Sequence, residues 1–206
     1  MMEKTTVHNV EHRDDEASRI GMWLFIFSEL IFFGGLFIVY SVIRYRNQEA
    51  FHLAATELNR TVGTINTIIL MFSSMTLSMS VTSMQRSNKK LTIALLITTA
   101  VLGIIFMVNK YFEWGLKIQH GLFPGSEKLH ELGYGDTLFF GIYFAMTGLH
   151  MLHLLIGIIL VGIMISFVSK DKIRADKFVQ LDNISLYWHL VDIIWIFLFP
   201  LFYLIT

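Results

Sequence analysis

A histidine and an acid three positions apart, His189 and Asp192, lie inside an apolar run over 185–203, and at that spacing both stand on one face of a helix. Glu29 lies in a second apolar run, GMWLFIFSELIFF, and His150 and His153 lie in a third, TGLHMLHLLIG. At membrane depth, an ionisable side chain costs several kcal/mol unless it is protonated, paired or turned toward water. The chemistry open to these groups is therefore proton relay, ion passage or metal ligation. For the acids, a structural role as hydrogen-bonded packing devices is equally open.

The ligand count argues against a haem or metal centre. Two axial ligands approach one iron from opposite sides, so His150 and His153 on one helix face cannot hold a single haem axially. Two haems need four histidines at matched depths, and the apolar runs contain three: His150, His153 and His189. The other five, His8, His12, His52, His120 and His130, fall in the tail or loops. A zinc or di-iron site in a helix bundle asks for a carboxylate and histidine cluster such as Glu-x-x-His, which no apolar run contains. The chain has no cysteine, which removes thiolate ligands and disulfides. The histidines then read as hydrogen-bonding groups between helices. Gly157 continues their face, and Gly141, Ala145 and Gly148 make a small-residue stripe for close helix approach. Asn66, Thr67, Ser73, Ser74, Thr76 and Ser78 offer a polar complement on one segment. Phe25, Phe32, Phe33 and Phe37 read as contacts to acyl chains or other helices.

These residues need helices to position them. The chain has 206 residues, 54% of them hydrophobic and 16% charged, against about 25% charged in soluble domains. Its mean hydropathy is +0.60. The fold class is all-α, an integral membrane bundle of five transmembrane helices over about 20–42, 62–84, 91–108, 137–168 and 185–205, preceded by a polar tail over 1–19. A span of roughly 20 helical residues crosses the hydrocarbon, so the fourth segment must tilt or project. No segment alternates with the period of a strand. The long connection, 110–136, is expected on the membrane surface, with Tyr111, Trp114 and Tyr134 as interfacial anchors. Glu29 falls roughly 14 Å into its helix and Asp192 about 10 Å into the last one, from the same side, so the two acids are expected as neighbours in depth. The net charge of +0 gives no electrostatic case for nucleic acid. Of sixteen basic residues, ten fall on the side shared by the tail and the second and fourth connections, which predicts a cytoplasmic N-terminus and an external C-terminus.

Taken in order, GMWLFIFSELIFF from Gly21, INTIILMFSS from Ile65, YFEW from Tyr111, TGLHMLHLLIG from Thr147 and YWHLVDIIWIFLF from Tyr187 resemble the successive signatures of subunit III of haem-copper terminal oxidases, the cytochrome c and quinol oxidases. The resemblance implies a non-redox accessory subunit in a bacterial cytoplasmic membrane. It would pack beside subunits I and II, which carry the haems and copper, bind phospholipid, and support proton uptake during reduction of oxygen to water. It also implies that Glu29, Asn66, Glu113, His150, His153, His189 and Asp192 form the family's buried polar set. The commoner family form has seven helices and this chain resembles shorter bacterial members that start at the third, which puts the lipid cleft made with the first two in question. The family's phosphate-binding Arg falls near Phe167 here, with Lys170 as the substitute. An accessory subunit of a nitric oxide reductase and a stand-alone proton or ion carrier remain the alternative readings.

Overall fold

The structure, a computed structural model, describes residues 2–175 and 177–204. The side chains of residues 2–14, His130 and Leu132 fall outside that description. So do the side chains of His8 and His12 discussed above, and the expected C-terminal limit of the last helix at 205. Seven helices follow one another: α1 (Met2–Arg46), α2 (Gln48–Thr56), α3 (Arg60–Gln85), α4 (Lys89–Gln119), α5 (Glu127–Leu132), α6 (Tyr134–Ser169) and α7 (Val179–Tyr203). Five of them, α1, α3, α4, α6 and α7, are long and apolar enough to cross a membrane. Among the described residues no strand forms, and the only strand-like pairing is the isolated bridge of Arg174 with Lys177.

The four helices after α2 that span the bundle share one packing rule. On α4 the buried positions are Thr92, Leu96, Thr99, Gly103, Phe106, Lys110, Glu113 and Lys117, alternately four and three residues apart. On α6 the same alternation links Phe140, Tyr143, Thr147, His150, Leu154, Gly157, Val161, Met164 and Val168. Asn66, Ser73 and Ser80 repeat every seven residues on α3, and Leu181, Trp188, Trp195 and Phe202 do so on α7. A seven-residue repeat averages 3.5 residues per turn, which keeps one seam of each helix facing its neighbours and suits left-handed wrapping. In lipid this seam cannot be sorted by hydrophobicity, because the outside is equally apolar. Packing fit and hydrogen bonds sort it instead. Helix α1 stands apart: only 11% of its apolar window is buried, and Ile26, Phe33 and Tyr40, again seven apart, are its buried apolar side chains.

Three connections differ from expectation. The third span runs eleven residues past 108, because Lys110, Glu113 and Lys117 are buried helix positions and not loop residues. The segment 110–119 therefore continues the helix, and the connection begins at His120. Tyr111 on α4 and Tyr134 at the start of α6 are exposed, whereas Trp114 packs against the core. Between α1 and α3 the chain folds into α2, anchored by Phe51 against Tyr40 and Phe139, with ring centroids 5.7 and 5.2 Å away. The Lys117 ammonium donates to the Glu57 carbonyl at the C-terminal end of α2, where the helix dipole favours a cation. The α3–α4 turn consists of Arg86, Ser87 and Asn88. Ser87 takes a left-handed φ of 59°, and the Asn88 side chain accepts from the Leu91 N–H at 3.2 Å. At the same end of the bundle, Lys89 bonds Asp171 at 2.7 Å and holds its carboxyl below the usual carboxylate range.

At the centre of the bundle the small residues that bring helices together are Gly103 and Gly157, while Gly63 meets Phe199 of α7 and Gly135 meets Ala50 of α2 nearer its ends. Of the expected stripe of Gly141, Ala145 and Gly148, only Gly148 makes such a contact, 3.5 Å from Trp114 of α4. Gly141 meets nothing within 4 Å of where a Cβ would stand, and Ala145 is exposed. A Cβ on Gly103 would lie 2.9 Å from the Trp188 ring, and one on Gly157 would lie 3.1 Å from it. Gly103→Ala should therefore overpack the centre and destabilise the fold by about 1–3 kcal/mol. Gly162→Ala, where nothing lies within 4 Å, should be neutral or slightly stabilising. Thermal unfolding of the two variants in detergent checks the difference.

Candidate functional site

All but His150 of the seven polar residues assigned to the buried set fall into four separate groups inside the bundle. His189, on α7, reaches across to α3. Its Nδ1 lies 2.6 Å from the Ser74 hydroxyl, and its Nε2 lies 3.0 Å from Ser78 and 3.2 Å from Ser185. Asp192, one turn on, is buried at 6% exposure, and neither of its oxygens has a hydrogen-bond partner among the described residues. Ser74 lies beside it but is engaged with His189.

Glu29 does not meet Asp192. Its carboxylate lies 3.1 Å from Nε2 of His153 on α6. The other ring nitrogen, Nδ1, lies 2.8 Å from the Leu149 carbonyl. A carbonyl can only accept, so Nδ1 carries a proton. The Glu29 contact then needs one more proton, on Nε2 or on the carboxyl. Either assignment leaves the pair neutral as a unit, which is the state that low-dielectric surroundings favour. Phe33 covers the imidazole edge-on at 5.3 Å, and the Tyr187 hydroxyl donates to the His153 carbonyl at 2.9 Å. The two histidines of TGLHMLHLLIG therefore turn to different neighbours. His153 faces α1, while His150 is fully buried between Phe106 and Trp195, with ring centroids 5.7 and 5.2 Å away and no polar partner for either nitrogen among the described residues.

Glu113 belongs to the densest polar group. Its partner is Lys110, one turn earlier on α4, at 3.2 Å. Lys110 also donates to the hydroxyls of Tyr143 at 3.1 Å and Tyr203 at 2.7 Å. Tyr143 donates to Glu113 at 2.8 Å and Tyr203 donates to the same carboxylate oxygen. The ammonium is further covered by the rings of Tyr143, Trp195 and Tyr203, all within 5.3 Å of their centroids, a geometry that stabilises a desolvated cation. Lys110 has no exposed surface and Glu113 has 5%. The group joins α4, α6 and α7. Asn66 forms the fourth group, accepting from Asn109 at 2.8 Å and so tying α3 to α4.

Lys110, Tyr143, Tyr203 and the tryptophans Trp188 and Trp195 went unread as site residues. The three-residue spacing of Lys110 and Glu113, which puts a cation and an anion on one helix face, was the available signal. Near the end of α6, the Lys172 ammonium lies 5.2 Å over the Phe167 ring. Among the described residues, no group of three or more His, Asp or Glu side chains is placed to hold a metal ion. The arrangement can share protons within pairs and fix helices to one another.

A family model described as cytochrome c oxidase subunit III matches residues 2–206. The chain is 31% identical over 202 residues to cytochrome c oxidase subunit 3 of Thermostichus vulcanus, covering 97% of this chain and 92% of that protein. It is 26% identical over 210 residues to a probable quinol oxidase subunit 3 of Staphylococcus aureus, covering 100% of this chain and 97% of that one. It is also 30% identical over 193 residues to the haem-copper oxidase subunit I+III of Aeropyrum pernix, where it covers 91% of this chain but spans 22% of that protein's length. With five apolar spans joined by an internal polar scaffold and a match that runs almost from end to end, the chain belongs to the cytochrome c oxidase subunit III family.

Proposed function

We propose that this chain is a non-redox accessory subunit of a respiratory terminal oxidase, packed beside subunits I and II, which carry the haems and copper. The observation that carries this reading is how its charged groups are used. Glu29 is closed on His153 and Glu113 on Lys110, so neither pair is left as an open row of acids along which ions could pass. Such a chain stiffens the membrane part of the enzyme, holds phospholipid and supports proton uptake by its neighbours, while oxygen is reduced to water elsewhere. Glu29, in the pair facing the sparsely covered helix α1, is assigned to the lipid or proton-uptake neighbourhood. Asn66, Glu113, His150, His189 and Asp192 are assigned to helix orientation.

The chain sits in a bacterial cytoplasmic membrane with its N-terminus inside and its C-terminus outside. Ten of the sixteen basic residues fall on the inner side. Lys110 and Lys117, counted with the outer loops on sequence alone, are buried in α4, which sharpens the asymmetry that sets topology.

Purification of a tagged chain from mild detergent should bring down polypeptides that bind haem and copper, while the isolated chain shows no Soret band. A Soret band from the chain alone, or a lone oligomer that moves protons across liposomes, would overturn the reading. Glu29→Gln and Asp192→Asn should leave the visible spectrum of the assembled enzyme intact and shorten its activity during sustained turnover, and an unchanged lifetime counts against the assigned roles. Lys110→Met leaves Glu113 buried without its cation, so it should destabilise the fold by about 3–5 kcal/mol. Adding Glu113→Gln to it should recover part of that loss, as read by denaturant unfolding of single and double variants.

A further inference from the structure

We propose that Asp192 is a reversible proton-binding site, loaded from the α3–α4 turn end of the bundle through Ser78, His189 and Ser74. A cavity of about 440 Å³ lies at that end, with Thr82, Ser83, Arg86 and Asn88 as its polar wall and Leu91 and Leu95 of α4 in its apolar part. It reaches Ser78, about 12 Å along α3 from Arg86. A polar space of that size admits water. From Ser78 the contacts lead inward. Its hydroxyl lies 3.0 Å from Nε2 of His189, and Nδ1 of the same ring lies 2.6 Å from the Ser74 hydroxyl. Ser74 lies beside Asp192, whose two oxygens are buried and have no hydrogen-bond partner among the described residues.

Two features separate this path from a packing contact. The first is the tautomer. Nδ1 of His153 faces a backbone carbonyl and must keep its proton, whereas both nitrogens of His189 face hydroxyls, which donate and accept alike. Either tautomer of His189 is therefore satisfied. The second is the freedom of those hydroxyls. Ser73, Thr76 and Ser80 donate to carbonyls of their own helix, but the hydroxyls of Ser74, Ser78 and Ser185 are turned to His189. No neighbouring charge fixes Asp192 in one state. Helix α3 carries no ionisable side chain after Arg60. On α1, Arg19 pairs with Asp182, Glu29 closes on His153 of α6, and Tyr40 bonds the Leu201 carbonyl. On α6, His150 lies between Phe106 and Trp195, and Tyr143 bonds Glu113. Helix α2 meets α7 at its far end, beside Leu201.

Loading moves one proton and no electrons. Nε2 takes the Ser78 proton, which the cavity replaces; Nδ1 gives its proton to Ser74, and the Ser74 proton passes to the Asp192 carboxylate. The carboxylate becomes an acid and the ring ends in the opposite tautomer, so unloading by the same steps in reverse restores both. One turn beyond Asp192, Trp195 packs on Phe106 and His150. The path ends there, and protons enter and return without crossing the membrane. Use of the site as a proton store for a proton-consuming neighbour rests on the accessory-subunit reading. The loading itself does not depend on which polypeptides are present.

Infrared difference spectroscopy tests the site. The full chain, with whatever polypeptides accompany it from mild detergent, is placed in vesicles and stepped from alkaline to mildly acidic buffer. The expected result is a band from a newly protonated buried carboxyl, lost in Asp192→Asn and displaced in Asp192→Glu, which keeps the acid should the first variant fail to fold. His189→Gln still bonds the serines but has no second tautomer. Its band should reach full height about tenfold more slowly, the scale of one lost hydrogen-bonded link. An unchanged rate in that variant overturns the proposal. So does a carboxyl band that is already complete in alkaline buffer, or the absence of any band that responds to the Asp192 variants. A responding band in a chain that brings down no oxidase subunits would break the accessory-subunit reading and leave the proton site standing. A fixed Asp192 in a chain that does bring them down would do the reverse.

Discussion

The indole of Trp188 joins its own helix to three others at once. It rises from α7, its N–H donates to Ser73 of α3 at 3.0 Å, and its ring fills the hollows left by Gly103 on α4 and Gly157 on α6. Two turns later Trp195 repeats the arrangement. Its N–H donates to Thr67 of α3 at 3.0 Å, and its ring lies against Phe106 of α4 and His150 of α6. In a bilayer, burial against lipid or against protein differs little for an apolar group, so helix association rests on close packing and on polar groups that have nowhere else to bond. The two indoles supply both, being large surfaces with one donor each. The seven-residue repeat through α3, α4, α6 and α7 keeps those slots in register.

The charged groups follow from that scaffold. Lys110 is enclosed by Trp195, Tyr143 and Tyr203 on two other helices, so its ammonium remains inside only because Glu113 and two hydroxyls satisfy its donors. Helix α1 is tied in at separated points, by Glu29 on His153, by the Tyr40 hydroxyl on the Leu201 carbonyl, and by Ser18 and Arg19 near Asn183 and Asp182. Between them most of its apolar surface stays outside the bundle. A chain that directs its strongest contacts inward through four helices and leaves the fifth lightly held has a rigid body and one face still available to other molecules.

The five spans were legible because hydropathy reports transfer into lipid directly. The limit of the third was misread for the same reason: three charges in eight residues look like loop when their internal pairing is unknown, and the partners of Lys110 come from residues 33 and 93 positions further along the chain. In YWHLVDIIW the ionisable residues drew notice, while the two tryptophans that bracket them set the packing. Their seven-residue spacing was visible, but its meaning needed the matching glycines on other helices. His189 with Ser74 and Ser78 was anticipated as a polar complement on α3. The pairing of Glu29 with His153 was not, because depth along a helix says nothing about which way the side chain faces.

The tight turn of Arg86, Ser87 and Asn88 bears on how the protein is made. With three residues between α3 and α4, the two spans form a hairpin whose facing stripes adjoin in sequence. Closing so short a loop costs little entropy, so the hairpin can form while the remainder of the chain is still on the ribosome. The slots for the indoles are then half built before α7 is made, and the hydroxyls of Thr67 and Ser73 meet their indole donors only when α7 follows. The polar interior is therefore closed by α7 and not by the hairpin, so a chain lacking α7 would leave the Gly103 and Gly157 hollows unfilled.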